Sequence, residues 1–115
     1  MKHQLIGEHI FATLKLCNPI KLNDLEYIED SLVKSCIAAK CKVLDVVSHQ
    51  FFPRGVTSVL LLEESHISIH TYPEYSSAFV DIFTCGITAK PEEALISLVD
   101  SFNCNYVNQK KICRN

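Results

Sequence analysis

Apolar residues change their period along this chain, and the change dictates its layers. From Leu22 to Ala39 they recur at three- and four-residue intervals (Leu22, Leu25, Ile28, Leu32, Val33, Cys36, Ile37), which predicts a helix with one buried face, capped by Asn23 or Asp24. Before it, residues 5–17 form a β-favouring run with Ile10, Phe11, Leu14 and Leu16, closed by Asn18-Pro19. After it come Cys41 to Val47, a loop from His49 to Gly55, and three strands over Val56 to Glu63, Ser65 to Thr71 and Ser77 to Cys85. A second helix starts at Pro91, a favoured first position, burying Ala94, Leu95, Leu98, Val99 and Phe102 before a short strand around Tyr106 to Ile112. This order predicts an α+β fold: a two-layer sandwich in which two helices cover one face of a largely antiparallel sheet. Two helices shield only one side, so the other face is a natural seat for a second copy of the chain.

At 115 residues the chain is the size of one domain, and 48% hydrophobic against 21% charged residues is the balance of a folded globular protein. With 11 basic against 13 acidic residues and arginine only at Arg54 and Arg114, there is no general attraction for phosphate backbones or anionic lipids. Nucleic acid is not an expected partner. The longest apolar stretch, Val59 to Leu62, is far short of a membrane span, and Glu8 and His9 interrupt the N-terminal region before a signal-type segment develops. A cytoplasmic location is expected. Six cysteines (Cys17, Cys36, Cys41, Cys85, Cys104, Cys113) include no CxxC pair, which supports neither a zinc site nor a disulfide framework. They are expected to be reduced, half-buried hydrophobes.

Chemistry concentrates where the apolar strand Leu60 to Leu62 runs into Glu63, Glu64, Ser65, His66, Ser68 and His70. Alternation of His66, Ser68 and His70 with Ile67 and Ile69 also suits a strand with one wet face. The run Glu64-Ser-His-Ile-Ser-Ile-His-Thr-Tyr-Pro-Glu74, with Val80-Asp-Ile-Phe-Thr-Cys-Gly86, closely resembles the prokaryotic S-adenosylmethionine decarboxylase proenzymes, a pyruvoyl-dependent family. His49, Phe51, Pro53, Gly55, Val56 and Thr57 resemble a second element of that family, and Gly7-Glu-His9 with Cys17 resembles its opening strand.

The resemblance implies a single decarboxylase domain over residues 1–115, self-cleaved into 1–64 and 65–115. A serine hydroxyl against its own preceding carbonyl can attack it and turn the amide into an ester when a base takes the proton. By resemblance, Ser65 attacks Glu64 and becomes a covalent pyruvoyl group, His70 moves protons during cleavage, and Thr57 assists processing. Imidazole suits that task because its ordinary pKa lies near neutrality. Strict alternation puts Ser65 and His70 on opposite faces, so a bend or bulge is expected at or after Ser65.

The pyruvoyl ketone would withdraw electrons from the substrate's α-carbon as CO2 leaves, and Cys85 matches the acid that returns a proton there. Phe51 matches an aromatic that stacks on adenine, Glu74 matches the acid that binds the ribose hydroxyls, and Ile67 joins them as a substrate contact. No metal is implied. The implied partners are S-adenosylmethionine, decarboxylated for spermidine synthesis, and a second copy of the chain in a homodimer.

Two stretches depart from the family pattern. Ala12-Thr-Leu-Lys-Leu-Cys17 has Thr13 in place of an aspartate and Leu16 in place of a glycine, and Tyr72 replaces a tryptophan. Since relatives in the broader family use ornithine or arginine, decarboxylation of one of those amino acids on the same scaffold is the alternative. A catalytically silent binding relative is a third, disfavoured by the joint presence of Ser65, His70 and Cys85.

Overall fold

A computed structural model describes residues 5–115. Six strands, β1 (Gly7–Lys15), β2 (Lys42–Gln50), β3 (Val56–Glu63), β4 (Ser65–Tyr72), β5 (Ser77–Cys85) and β6 (Tyr106–Arg114), form one sheet in the order β2-β3-β4-β5-β1-β6. Every neighbouring pair is antiparallel. Helices α1 (Leu25–Ala38) and α2 (Pro91–Ser101) pack on each other, with α1 over β2 to β4 and α2 over β1 and β5. The two-layer α+β sandwich expected from the sequence is the fold observed.

The core is the interface between these layers. Strand alternation sends Ile10, Ala12, Leu14, Leu60, Leu62, Ile67, Ile69, Val80 and Ile82 to the helix side, where they meet Ile28, Leu32, Cys36, Leu98 and Phe102. Deep polar groups are satisfied locally: the Ser31 and Ser35 hydroxyls donate to the carbonyls of Tyr27 and Leu32. At the β6 edge, the Lys111 ammonium pairs with Glu8 at 3.0 Å and with Glu92 on α2. Among the described residues no helix is long and apolar enough to cross a membrane.

Several boundaries differ from expectation, each for a local reason. The first helix begins at Leu25, because Asp24 is its cap, accepting from the Tyr27 N–H at 3.1 Å; Leu22 falls in a preceding 3-10 turn, Lys21–Asn23. Ile37 is 68% exposed, since the buried stripe runs through Ile28, Leu32 and Cys36 and the next residue turns about 100° away. Strand β2 continues through His49 and Gln50, leaving only residues 51–55 as loop, and β6 extends to Arg114. A turn of 3-10 helix, Pro73–Tyr75, joins β4 to β5.

The cysteines need a further correction. Cys17 and Cys104 are joined by a disulfide, because the end of β1 meets the chain leaving α2: the Asn18 N–H donates to the Phe102 carbonyl at 2.9 Å, and the two cysteine Cα atoms are 4.1 Å apart. Cys36, Cys41, Cys85 and Cys113 are free, and Cys113 is exposed rather than half-buried.

Candidate active site

The β3–β4 hairpin carries most of the candidate residues. Its two strands are joined through Glu64 alone, and Leu62 pairs with Ser65 to close the turn. Ser65 therefore heads β4. Its hydroxyl lies 3.7 Å from the Sγ of Cys85, the last residue of β5. Both line a cleft of about 710 Å³ with Leu62, Glu64, Thr84 and Gly86. A ketone at residue 65 fits this setting, since the serine side chain already opens on a cleft roomy enough for substrate beside a thiol.

Cys41 lines the same cleft, but burial pushes its thiol up; burial, and secondarily Cys41, push Cys36 to about 11. Neither supplies a thiolate near neutral pH.

The remaining candidates gather at the far end of the hairpin. Thr57 and His70 are directly paired across β3 and β4, and Thr57 Oγ1 lies 3.0 Å from His70 Nδ1. With Nδ1 engaged, Nε2 is the ring nitrogen left for proton transfer. Phe51, Thr57, His70 and Glu74 line one pocket of about 280 Å³ together with Arg54 and Tyr72. Arg54 is a further residue of this pocket, and its one mark in the sequence is its place in the Pro53-Arg-Gly55 turn beside Phe51.

One expectation fails here. β4 keeps an unbroken register with β3 from Leu62↔Ser65 to Thr57↔His70, and with β5 from His66↔Phe83 to Tyr72↔Ser77. The expected bend after Ser65 is not there, and five strand residues place His70 about 16 Å from Ser65. The Ile67 side chain is 0% exposed and packs on the helix side, the face opposite His66 and His70, and it does not line the pocket of Phe51 and Glu74. Among the described residues no group of three or more His, Cys, Asp or Glu side chains is arranged to hold a metal.

Thr57, His70 and Cys85 lie on the sheet face that no helix covers, since His70 pairs with Phe79 and Cys85 follows Phe79, Asp81 and Phe83 along β5. That face also presents Phe11, Val47, Val59, Leu61, Phe79 and Ile112, each 36–68% exposed. His9 and Asp81, 3.0 Å apart, sit among them.

The chain matches the sequence family described as S-adenosylmethionine decarboxylase over residues 8–115. It is 43% identical over 99 residues to the S-adenosylmethionine decarboxylase proenzyme of Thermodesulfovibrio yellowstonii, covering 86% of this chain and 73% of that one. It is 40% identical over 110 residues to the proenzyme of the same name from Clostridium tetani, covering 96% and 80%. The crystal structure of the adenosylmethionine decarboxylase from Aquifex aeolicus superposes with a TM-score of 0.87 at 33% identity, covering 95% of this chain and 90% of that one.

Proposed function

The chain belongs to the S-adenosylmethionine decarboxylase family, and on that premise we propose that Ser65 cuts the backbone after Glu64 and that the new chain end decarboxylates S-adenosylmethionine. The relatives are proenzymes by name, and nothing among them supports ornithine or arginine as the substrate. The contact that carries the reading is the one between Ser65 and Cys85 at the mouth of the β3–β4 cleft.

In the cut, the Ser65 Oγ–H gives up its proton and bonds to the Glu64 carbonyl carbon as the peptide C–N bond breaks. Loss of the Ser65 α-proton then expels the Glu64 carboxylate, and hydrolysis releases the serine nitrogen as ammonia. A ketone remains at residue 65. When formed, that pyruvoyl group supplies an electron sink for the substrate's α-carbon. Cys85 is the acid within reach of that carbon, Phe51 offers a face for adenine, and Glu74 accepts from the ribose hydroxyls.

One chain does not supply all of this at one point, because Ser65 and Cys85 stand at one end of β4 while His70, Thr57, Phe51 and Glu74 stand at the other. We infer a homodimer in which two helix-free faces stack about a twofold axis crossing the middle of β4. Such an axis exchanges strand ends, so His70 of one copy lies over the end of the other copy's sheet where Cys85, on the same helix-free face, meets the Ser65 hydroxyl. The exposed apolar residues of that face favour its burial.

Mixing two inactive precursors tests this arrangement. Ser65→Ala and His70→Ala each remain uncut alone; denatured and refolded together, they form heterodimers holding one intact pairing of Ser65 with His70, and the His70→Ala chain is cut. A mixture that stays uncut, while wild type refolded the same way cleaves, puts His70 in the same chain as its Ser65 or out of the reaction. For substrate, Glu74→Gln lowers kcat/KM for S-adenosylmethionine about 10- to 150-fold, the worth of one charge-assisted hydrogen bond of about 1.5–3 kcal/mol. Assaying CO2 release from S-adenosylmethionine, ornithine and arginine separately checks the substrate itself; faster turnover of either amino acid overturns it.

A further inference from the structure

We propose that Asn23 is a positioning residue for substrate, acting through the loop that carries Phe51; this rests on the reading that Phe51 receives the adenine ring. Asn23 stands one residue before the α1 cap, and Asp24 does the capping, so the Asn23 side chain is released for a longer reach. Its Oδ1 accepts from the Gly55 N–H at 2.9 Å and from Gln50 Nε2 at 3.2 Å. Gln50 Nε2 also donates to the Gly55 carbonyl at 3.0 Å, and the Phe51 N–H donates to the same carbonyl at 2.8 Å. Both ends of the 51–55 loop are thus fastened to a single oxygen on a different element of the fold.

The loop has little other support. Phe51 is 48% exposed and meets the His49 ring edge-on at 4.6 Å between centroids. Gly55 holds a φ of +102°, and an added Cβ there would come within 3.2 Å of the Thr71 carbonyl oxygen, so its backbone is pressed against β4. A ring meant to stack on a ligand must be presented by backbone that does not move when the ligand arrives, since ordering a loose loop subtracts from affinity. Asn23 is not among the residues lining the 280 Å³ pocket of Phe51 and Glu74; it lines an adjoining open cavity of about 850 Å³ that shares Arg54 and Glu74 with it, and its bonds to Gly55 and Gln50 hold the loop between the two.

Both bonds land on the oxygen, so a carboxylate can replace the amide while alanine cannot. In the processed enzyme, Asn23→Ala is expected to raise KM for S-adenosylmethionine and Kd for methylthioadenosine, which lacks the reacting amine, by about 5- to 30-fold, the worth of one or two neutral hydrogen bonds. Self-cleavage and kcat stay within about twofold, and Asn23→Asp restores both affinities. Wild-type affinities in Asn23→Ala, or Asn23→Asp as weak as Asn23→Ala, overturn the proposal. Phe51→Ala separates it from its premise: unchanged methylthioadenosine binding in Phe51→Ala removes the stacking role itself, whereas weakened binding there with normal binding in Asn23→Ala removes only Asn23. If Asn23→Ala does not fold, Gln50→Met, which deletes the donor shared by Asn23 and Gly55, gives the same test with a smaller rise in KM and Kd; its failure to raise either overturns the proposal.

Discussion

Denatured in the presence of reductant, the wild-type protein resolves into chains of 64 and 51 residues, while Ser65→Ala runs as one chain of 115. The expectation follows from position: Ser65 is the first residue of β4, directly after the single residue that turns the hairpin, and its hydroxyl opens on the cleft beside Cys85. The disulfide adds a second arm. Cys17 falls in the first product and Cys104 in the second, so without reductant the two products stay joined and migrate as one species. Mass measurement after reduction distinguishes this from failure to cut, because the joined products then separate into two chains, whereas an uncut chain keeps the single precursor mass. Cleavage of Ser65→Ala at the same bond would remove the serine as nucleophile. Two separate chains without reductant would show that Cys17 and Cys104 are thiols in the working enzyme.

Local chemistry explains which parts of this molecule were legible in its sequence. Proline at position 91 and alternation between Val56 and Glu63 act over a few residues, and the elements they predict appear where expected. Ile37 went wrong because an apolar side chain at nearly the right spacing cannot be told from one just past the stripe until the packing of α2 against α1 selects the face. The Cys17–Cys104 bond was invisible for a different reason. Its partners are 87 residues apart and meet only because β1 ends where α2 ends, a fact of topology with no local mark.

The separation of Ser65 from His70 is the most instructive failure. Their spacing along β4 puts them on opposite faces, and a bend or bulge at or after Ser65 is what alternation requires to bring the two together. The unbroken register removes the bend. What remains is a helix-free sheet face with apolar residues at its centre, Thr57 and His70 toward one end and Cys85 beside Ser65 at the other, and the proposed homodimer rests on that distribution.

Cys85→Ala is expected to cut itself at least in part and yet to lose about 100- to 10,000-fold in decarboxylation, the usual range for a positioned general acid. The separation arises because the two reactions ask different things of the same cleft. Self-cleavage needs the Ser65 oxygen, the Glu64 carbonyl and a base, whereas turnover needs a proton delivered to the substrate's α-carbon in place of the departing CO2. At 3.7 Å from Ser65 Oγ, the Cys85 thiol is within reach of a carbon bound at residue 65. The other free cysteines serve as internal controls. Cys41 lines the cleft but is pushed by burial toward the protonated form and makes its own contact with the Ala39 carbonyl at 3.7 Å, and Cys113 lies exposed on the edge strand β6. Cys41→Ala and Cys113→Ala should keep turnover within about threefold of wild type, because the thiol that meets the Ser65 hydroxyl is that of Cys85, whereas Cys41 is directed to the Ala39 carbonyl and Cys113 is exposed. Single-turnover CO2 release and product analysis on the processed variants give the answer. Near-normal turnover in Cys85→Ala with correctly protonated product would take the thiol out of the mechanism, and a loss equal to that of Cys85→Ala in Cys41→Ala would move the acid to the other wall of the cleft.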